Sequence, residues 1–176
     1  MKSLSSSSLC SLLFFTLCIT LIAQTANAKH ALMGQVCGQA LQEKVACMSI
    51  LRSDPRILHA KNYRQFAELV LQLGLKKAIA GQNFLKGIAA VNKSPAIVQC
   101  ANFDYDGVVG SFKSAIGELE SDAQTASYDA KVAGDGPDTC ERGLAAEHIV
   151  NPAISGLNRE ILLLSNIAFI ATDKLD

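Results

Sequence analysis

Residues 60–91 read AKNYRQFAELVLQLGLKKAIAGQNFLKGIAAV, and this stretch decides the fold of the chain. Apolar side chains recur every three or four positions, a spacing typical of one face of an α-helix. They are Tyr63, Phe66, Val70, Leu73, Ala80, Phe84 and Ile88. The pattern predicts one long helix from about Ala60 to Val91. Gly74, Gly81 and Gly87 each disfavour a helix by about 1 kcal/mol relative to Ala, so we expect them where a neighbouring helix packs closely.

The segment that follows predicts a second long helix. Ser94 has the side chain of a helix cap, and Pro95 suits the first helical position. The helix is expected to end near Glu120. Its apolar stripe consists of Tyr105, Val108, Phe112, Ala115 and Leu119.

Two further helices are predicted towards the C-terminus. The third begins at the caps Ser121 and Asp122, and its stripe contains Ala126, Ala130, Ala133, Cys140 and Leu144. Pro137, close to Gly134 and Gly136, removes a backbone donor and clashes with the preceding turn, which predicts a kink or break there. The fourth follows Asn151-Pro152, and its stripe is Leu157, Ile161, Leu164, Ala168, Ala171 and Leu175.

Four amphipathic helices of similar length, joined by short polar segments, predict an all-α fold. An up-down-up-down four-helix bundle buries all four stripes at once. The stretch from Lys29 to His59 is not part of this pattern, and we expect it to form a small helical hairpin at the N-terminus.

The first 28 residues have the features of a cleaved signal peptide. A positive start at Lys2 precedes a short apolar stretch, and Ala26-Asn27-Ala28 provides small residues at a cleavage site. Residues 29–176 are therefore predicted to be the mature, secreted domain, in the apoplast or cell wall or in a vacuole. No segment after Ala28 is expected to be long and apolar enough to cross a membrane.

Cleavage would leave four cysteines, because Cys10 and Cys18 belong to the signal peptide. In an oxidising compartment four cysteines usually form two disulfides, with three alternative pairings. A bond between Cys37 and Cys47 requires a bend, since a straight helix would hold residues ten apart at about 15 Å and a disulfide tolerates about 7 Å between Cα atoms. Antiparallel second and third helices would bring Cys100 to Cys140. This geometry favours Cys37–Cys47 with Cys100–Cys140.

The chain resembles the plant inhibitor family that contains pectin methylesterase inhibitors and cell-wall or vacuolar invertase inhibitors. The resemblance rests on the signal peptide, the cysteine spacing, Ser53-Asp54-Pro55-Arg56, Ala133, Thr139-Cys140-Glu141 with Leu144, and the closing segment from Glu160 to Ile170. It implies the same bundle, hairpin and disulfide pairing. It also implies a one-to-one complex with a cell-wall enzyme.

Three departures from the family bear on the target enzyme. The family often has a Thr and a Pro between its first two cysteines, where this chain has neither. An aromatic residue usually follows the third cysteine by four positions, whereas here that position is Asp104 and Tyr105 comes one later. A Pro-Lys-Phe tripeptide, common in invertase inhibitors, is absent, which favours pectin methylesterase over acid invertase as the target.

The sequence contains no pattern of a catalytic or cofactor-binding site. His30, His59 and His148 are scattered, and none is spaced from another His or Cys like a pair of metal ligands. There is no glycine-flanked serine nucleophile and no phosphate-binding glycine loop. Balanced charge, with 15 of the 16 basic residues left after signal cleavage against 16 acidic ones, argues against nucleic acid. Glu118, Glu120, Asp122, Asp135 and Asp138 are interpreted as solvated helix ends.

We therefore expect a secreted, non-catalytic inhibitor that needs no cofactor and no metal. Its candidate contact residues are the polar positions off the apolar stripes: Gln72, Lys76, Gln82, Asp106, Lys113 and Glu120. Asn92 begins a glycosylation sequon, Asn92-Lys93-Ser94, although Pro95 directly after it disfavours modification. The alternative is a non-inhibitory secreted bundle or ligand carrier, which would require an internal apolar cavity.

Overall fold

The computed structural model describes residues 32–175 of the chain. The predicted signal peptide, its cleavage site and His30 lie outside this range. The helices are α1 (32–39), α2 (Lys44–Leu51), α3 (Pro55–Leu58), α4 (Tyr63–Val91), α5 (Pro95–Gln99), α6 (Tyr105–Glu118), α7 (Ala123–Val132), α8 (Asp135–Ala146) and α9 (Pro152–Thr172). Short 3₁₀ turns cover Leu41–Glu43 and Asp173–Leu175, and one π-helical turn covers Cys100–Asp104.

The predicted four-helix bundle is confirmed. Its four rods are α4, α5 with α6, α7 with α8, and α9. Helix α4 packs against both α6 and α9, and α7 packs against the same two helices, so the rods form a closed ring in sequence order. Since successive rods run in opposite directions, the topology is up-down-up-down.

Polar caps set the beginnings of the rods. The side chain of Ser94 accepts a hydrogen bond from the Ile97 amide at 3.3 Å, directly before Pro95, as predicted. Asp122 caps α7 and Asn151 caps α9 in the same way. Helix α4 begins at Tyr63, slightly later than predicted, because Asn62 caps it through the Gln65 amide.

The buried line of α4 differs from the predicted stripe in its second half. Phe84 is 44% exposed and Ala80 is exposed, so their assignment to the core was wrong. The buried positions are instead Gly74, Ala78, Gly81, Leu85 and Ala89.

Two glycines explain why the buried line of α4 differs from the predicted stripe. A Cβ on Gly74 would lie 2.5 Å from the Phe112 ring, and one on Gly81 would lie 2.6 Å from Leu157, so both glycines admit a neighbouring side chain. Gly87 has open space beside it, and the prediction that a helix packs closely there is wrong.

The predicted stripe of the second rod is fully buried, but its start is not a regular α-helix. In the π-helical turn Cys100–Asp104, the backbone N–H of Tyr105 bonds to the Cys100 carbonyl. A π turn accommodates one extra residue. Because of that extra residue, Tyr105 lies in the core five positions after Cys100, and Asp104 is buried beside it.

The third rod breaks where Pro137 predicts it. Helix α7 ends at Val132, and α8 begins at Asp135 with Pro137 in its first turn. Pro137 has no N–H to donate to the preceding turn, and its ring would clash with the Ala133 carbonyl in a continuous helix. The break therefore falls at Ala133 and Gly134.

Both predicted disulfides are confirmed. Cys37 and Cys47 have a Cα separation of 5.6 Å, and the bond closes the hairpin of α1 and α2. Cys100 and Cys140 are 4.9 Å apart and join the π turn to α8. Met33 and Val36 of α1 are buried in the common core, so the hairpin packs onto the bundle.

Helix α9 contradicts the expectation that no segment after Ala28 is long and apolar enough to cross a membrane. The segment Pro152–Leu175, with a mean hydropathy of 1.3, is long and apolar enough to cross a membrane. Its stripe residues Ile161, Leu164 and Ala168 are nevertheless fully buried in the bundle. The high hydropathy is thus explained by a core helix that has neighbours on several sides.

Candidate interaction surface

The described residues offer one cluster of metal-ligand type, and its chemistry is already used. Ligand atoms of Cys100, Asp104 and Cys140 lie within 4.8 Å of one another. The two cysteines form a disulfide, so neither provides a thiolate for a metal or a nucleophile. His59 and His148 are both exposed and lie on separate turns.

A buried hydrogen-bond chain ties the second rod to the last two. The Tyr105 hydroxyl donates to Asn158 Oδ1 at 2.8 Å, and Asn158 Nδ2 donates to Glu141 at 2.8 Å. Burial raises the pKa of Tyr105, so the hydroxyl stays protonated and serves as a structural donor. Glu141, noted in the sequence as part of Thr139-Cys140-Glu141, acts here as an acceptor between helices.

Gln82 is not a surface residue, contrary to the sequence prediction. It is 8% exposed, and its side-chain amide donates to Asp106 Oδ1 at 2.6 Å. This bond joins α4 to α6. The burial of Gln82 could have been inferred from helical spacing, because Gln82 is four positions after Ala78 and three before Leu85, which are both fully buried.

Three of the predicted contact residues lie along the side of α6 nearest α4. Asp106 and Lys113 are exposed on this side. Glu120 is exposed near the end of α6, with a carboxylate oxygen 3.7 Å from the guanidinium of Arg64 on α4. Arg64 also donates to the Leu119 carbonyl. We call the surface formed by Arg64, Asp106, Lys113 and Glu120 the α4–α6 face.

The exposed side of α6 carries three glycines. Gly107, Gly110 and Gly117 are exposed, and a Cβ added to any of them would meet nothing within 4 Å. Packing inside the chain therefore does not explain these glycines.

Gln72 and Lys76 lie elsewhere, on the side of α4 that contacts α3. Arg56 Nη1 donates to Gln72 Oε1 at 3.3 Å. Lys76 lines a groove of about 660 Å³ together with Asp54, Arg56 and Lys77. A second groove of about 520 Å³ continues from it towards α9, and the two share Ser53 and Lys77.

Two ion pairs lie along this groove, and the sequence analysis predicted neither of them. Asp54 accepts from Arg56 Nε at 3.0 Å and from Nη2 at 2.6 Å. The hydrogen bond from Arg56 lowers the pKa of Asp54, so this carboxylate is ionised over a wider range. Lys77 Nζ lies 2.7 Å from a Glu160 carboxylate oxygen on α9. In the sequence, Ser53-Asp54-Pro55-Arg56 was recognised only as a family motif. The contacts of Arg56 with Gln72 and of Lys77 with Glu160 were not predicted.

The predicted acidic helix ends are solvated or used locally. Asp122 caps α7, and the Thr125 amide that it accepts from lowers its pKa. Asp138 pairs with Arg142 one turn later in α8.

The sequon lies at one end of the bundle. Asn92 is exposed at the end of α4, and its Oδ1 accepts from the Ser94 amide at 3.0 Å. The Ser94 hydroxyl donates to Glu147 at 2.6 Å, which joins this loop to the end of α8.

Comparison with known proteins gives a family and a fold. The family described as plant invertase/pectin methylesterase inhibitor matches residues 31–169. A crystal structure of mutant form A of a pectin methylesterase inhibitor from Arabidopsis has a TM-score of 0.69 at 21% identity, covering 80% of this chain and 95% of that one. A pectin methylesterase inhibitor from Arabidopsis thaliana has a TM-score of 0.61 at 21% identity, covering 82% and 95%. Among curated proteins no sequence is significantly similar to this chain.

Proposed function

Because the chain belongs to the plant invertase/pectin methylesterase inhibitor family, we propose that it inhibits pectin methylesterase by forming a non-covalent one-to-one complex that blocks the substrate cleft. The main support for the proposal is the family match over residues 31–169. Its support from the structure is a helical bundle with an exposed, mixed-charge face.

The α4–α6 face is the proposed contact surface. It combines charged groups of both signs, on Asp106, Lys113 and Glu120. The three glycines on the exposed side of α6 would let the backbone of a partner approach closely, which accounts for residues that otherwise only weaken the helix. A stable interface of this kind buries about 1,600 Å² in total, so it would extend beyond these residues.

Rigidity is the second support for the proposal. The Tyr105–Asn158–Glu141 chain, the Gln82–Asp106 bond and the Cys100–Cys140 disulfide each join different rods. A surface that is already ordered loses little conformational freedom on binding.

Acid invertase is the alternative target, because the family description names both kinds of inhibitor. The absent Pro-Lys-Phe tripeptide favours pectin methylesterase. The proposal also places the mature protein, residues 29–176, in the secretory route and then the cell wall, with Asn92 exposed for glycosylation. A ligand carrier is less well supported, since the two grooves described above open on the surface and the stripe residues pack against one another.

A paired inhibition assay tests the proposal. Purified mature protein is titrated against a plant pectin methylesterase and, separately, against an acid invertase at mildly acidic pH. We expect pectin methylesterase activity to fall and invertase activity to remain. The reverse pattern would make the chain an invertase inhibitor, and full activity of both enzymes would overturn the inhibitor proposal.

A further inference from the structure

The groove between the N-terminal hairpin and the bundle is a separate feature from the α4–α6 face. It lies where α3 contacts α4, and it continues to α9. Its lining includes the apolar side chains of Leu73 and Ala80 beside its charged groups. A concave site lined by apolar side chains and a few converging polar groups is typical of ligand binding.

The charge in the first part of this groove is positive. Arg56, Lys76 and Lys77 line it against a single carboxylate, that of Asp54. Asp54 is already bound by Arg56, and Lys77 is paired with Glu160. Among residues 32–175, no carboxylate oxygen lies within ion-pair distance of Lys76, which is exposed. Lys76 therefore adds a positive charge to this part of the groove that no ion pair within the described residues compensates.

Arg56 is also positioned to bind an anion. Its guanidinium bonds Asp54 on one side and Gln72 on another, while the side chain remains 61% exposed. A guanidinium has five N–H donors, so these bonds leave donors for a further acceptor. The planar group suits a carboxylate, which can accept two parallel hydrogen bonds from it. Holding Arg56 in advance reduces the side-chain entropy lost when a ligand binds.

Ser49 and Ser53 add hydroxyl groups along the two grooves. The combination of a fixed guanidinium, a lysine, hydroxyl groups and apolar side chains fits an acidic sugar chain. Carboxylates would contact the cations, hydroxyl groups would bond the serines, and the C–H faces of the rings would lie on the apolar side chains.

We propose that this groove binds a short chain of galacturonate residues with free carboxylates. The choice of sugar rests on the proposed function, because removal of methyl esters from pectin by a pectin methylesterase leaves galacturonate. The inhibitor would then bind the product-bearing polymer at the hairpin groove while its α4–α6 face contacts the enzyme. The two sites use different residues and can be tested separately.

Calorimetric titration without any enzyme tests the proposal. Full mature protein is titrated with a short unesterified oligogalacturonate at low salt, with the fully methyl-esterified oligomer, and with inorganic phosphate. We expect binding of the unesterified oligomer alone. We also expect it to disappear near 1 M salt, where the screening length falls to about 3 Å.

Lys76→Ala is the diagnostic variant, and Lys86→Ala is its matched control. Both lysines are exposed on α4, but Lys86 lies ten residues further along and is not part of the groove. Loss of one exposed charged contact should weaken oligogalacturonate binding by about twofold to fivefold in Lys76→Ala, and Lys86→Ala should bind like the wild type. Thermal unfolding of both variants verifies that they are folded.

Three results would overturn the groove proposal: no binding at low salt, equal binding of the esterified oligomer or phosphate, or equal effects of the two substitutions. These results say nothing against enzyme inhibition, which is measured in a different assay. Conversely, oligogalacturonate binding by a protein that inhibits neither enzyme would refute the proposed function and leave the groove site intact.

Discussion

The close contact between Gly74 and Phe112 allows a quantitative test of how α4 packs against α6. A Cβ at position 74 would lie 2.5 Å from Phe112 Cε1 and 2.7 Å from Cζ, and Phe112 is fully buried. Overpacking of this kind costs about 1–3 kcal/mol. Replacing Gly by Ala in a helix returns about 1 kcal/mol. Gly74→Ala should therefore lower the free energy of unfolding by about 0–2 kcal/mol.

Gly87→Ala in the same helix is the control, with the opposite expected sign. A Cβ at position 87 meets nothing within 4 Å, so only the gain in helix propensity, about 0.5–1 kcal/mol, applies. Urea and thermal unfolding of the oxidised mature proteins measure both changes. A difference of about 1–3 kcal/mol between the variants corresponds to several degrees in Tm, at roughly 2–4 °C per kcal/mol for a domain near this size.

Phe112→Leu provides the check that the ring is responsible. In that background the penalty of Gly74→Ala should shrink, because residues in direct contact show coupling energies of about 0.5–3 kcal/mol. If Gly74→Ala is as stable as Gly87→Ala, or if its effect is unchanged by Phe112→Leu, the proposed contact between the two rods is refuted.

Three other predictions concern the buried polar groups and the long disulfide. Burial raises the pKa of Asp104, whose Oδ2 has no hydrogen-bond partner among the described residues, so stability is lost as pH rises from the ordinary carboxyl pKa towards the raised one. Asp104→Asn should accordingly gain stability over the wild type at pH 7 but not at pH 3 in urea unfolding, and an equal gain at both would refute the assignment. Tyr105→Phe should cost about 1–3 kcal/mol by removing the donor to Asn158, whereas a neutral result would show that the bond contributes nothing. Replacing Cys100 and Cys140 by Ser should cost about 4 kcal/mol by the loop-entropy model for a separation of 40 residues, measured by thermal unfolding, and an unchanged Tm would contradict that model here.

The parts of the fold that follow from local patterns could be predicted from the sequence. The stripes of α6, α7, α8 and α9, the caps at Ser94, Asp122 and Asn151, and the break near Pro137 all depend on spacing or on backbone chemistry. The disulfide pairing followed from the same helices, because antiparallel neighbours bring Cys100 to Cys140.

The parts that depend on tertiary contacts could not be predicted in this way. Close packing at Gly74 and Gly81 was expected and is confirmed, but the predicted stripe counted only apolar side chains and therefore placed Ala80 and Phe84 in the core. The π turn buries Asp104, a residue that the pattern places outside. Gln82 is buried because Asp106 on another helix accepts its hydrogen bond.

The candidate interaction surface was only partly predictable for the same reason. Asp106, Lys113 and Glu120 could be recognised as polar positions off the stripe of one helix. That Lys76 instead lines a groove with Arg56 depends on how the hairpin packs against α4, and no local pattern contains that information.

Titration of pectin methylesterase with the mature protein, alongside a Lys113→Glu variant, tests the central claim most directly. Lys113 is exposed on the α4–α6 face and makes no ion pair among the described residues, so the charge reversal should leave the fold intact. The proposed mechanism predicts that enzyme activity falls to a plateau at one equivalent of wild-type protein. It also predicts that Lys113→Glu binds about tenfold more weakly, since reversing a charge at an interface opposes its electrostatic complementarity. Enzyme activity that stays constant at a molar excess of wild-type protein would contradict the claim that this chain is a pectin methylesterase inhibitor.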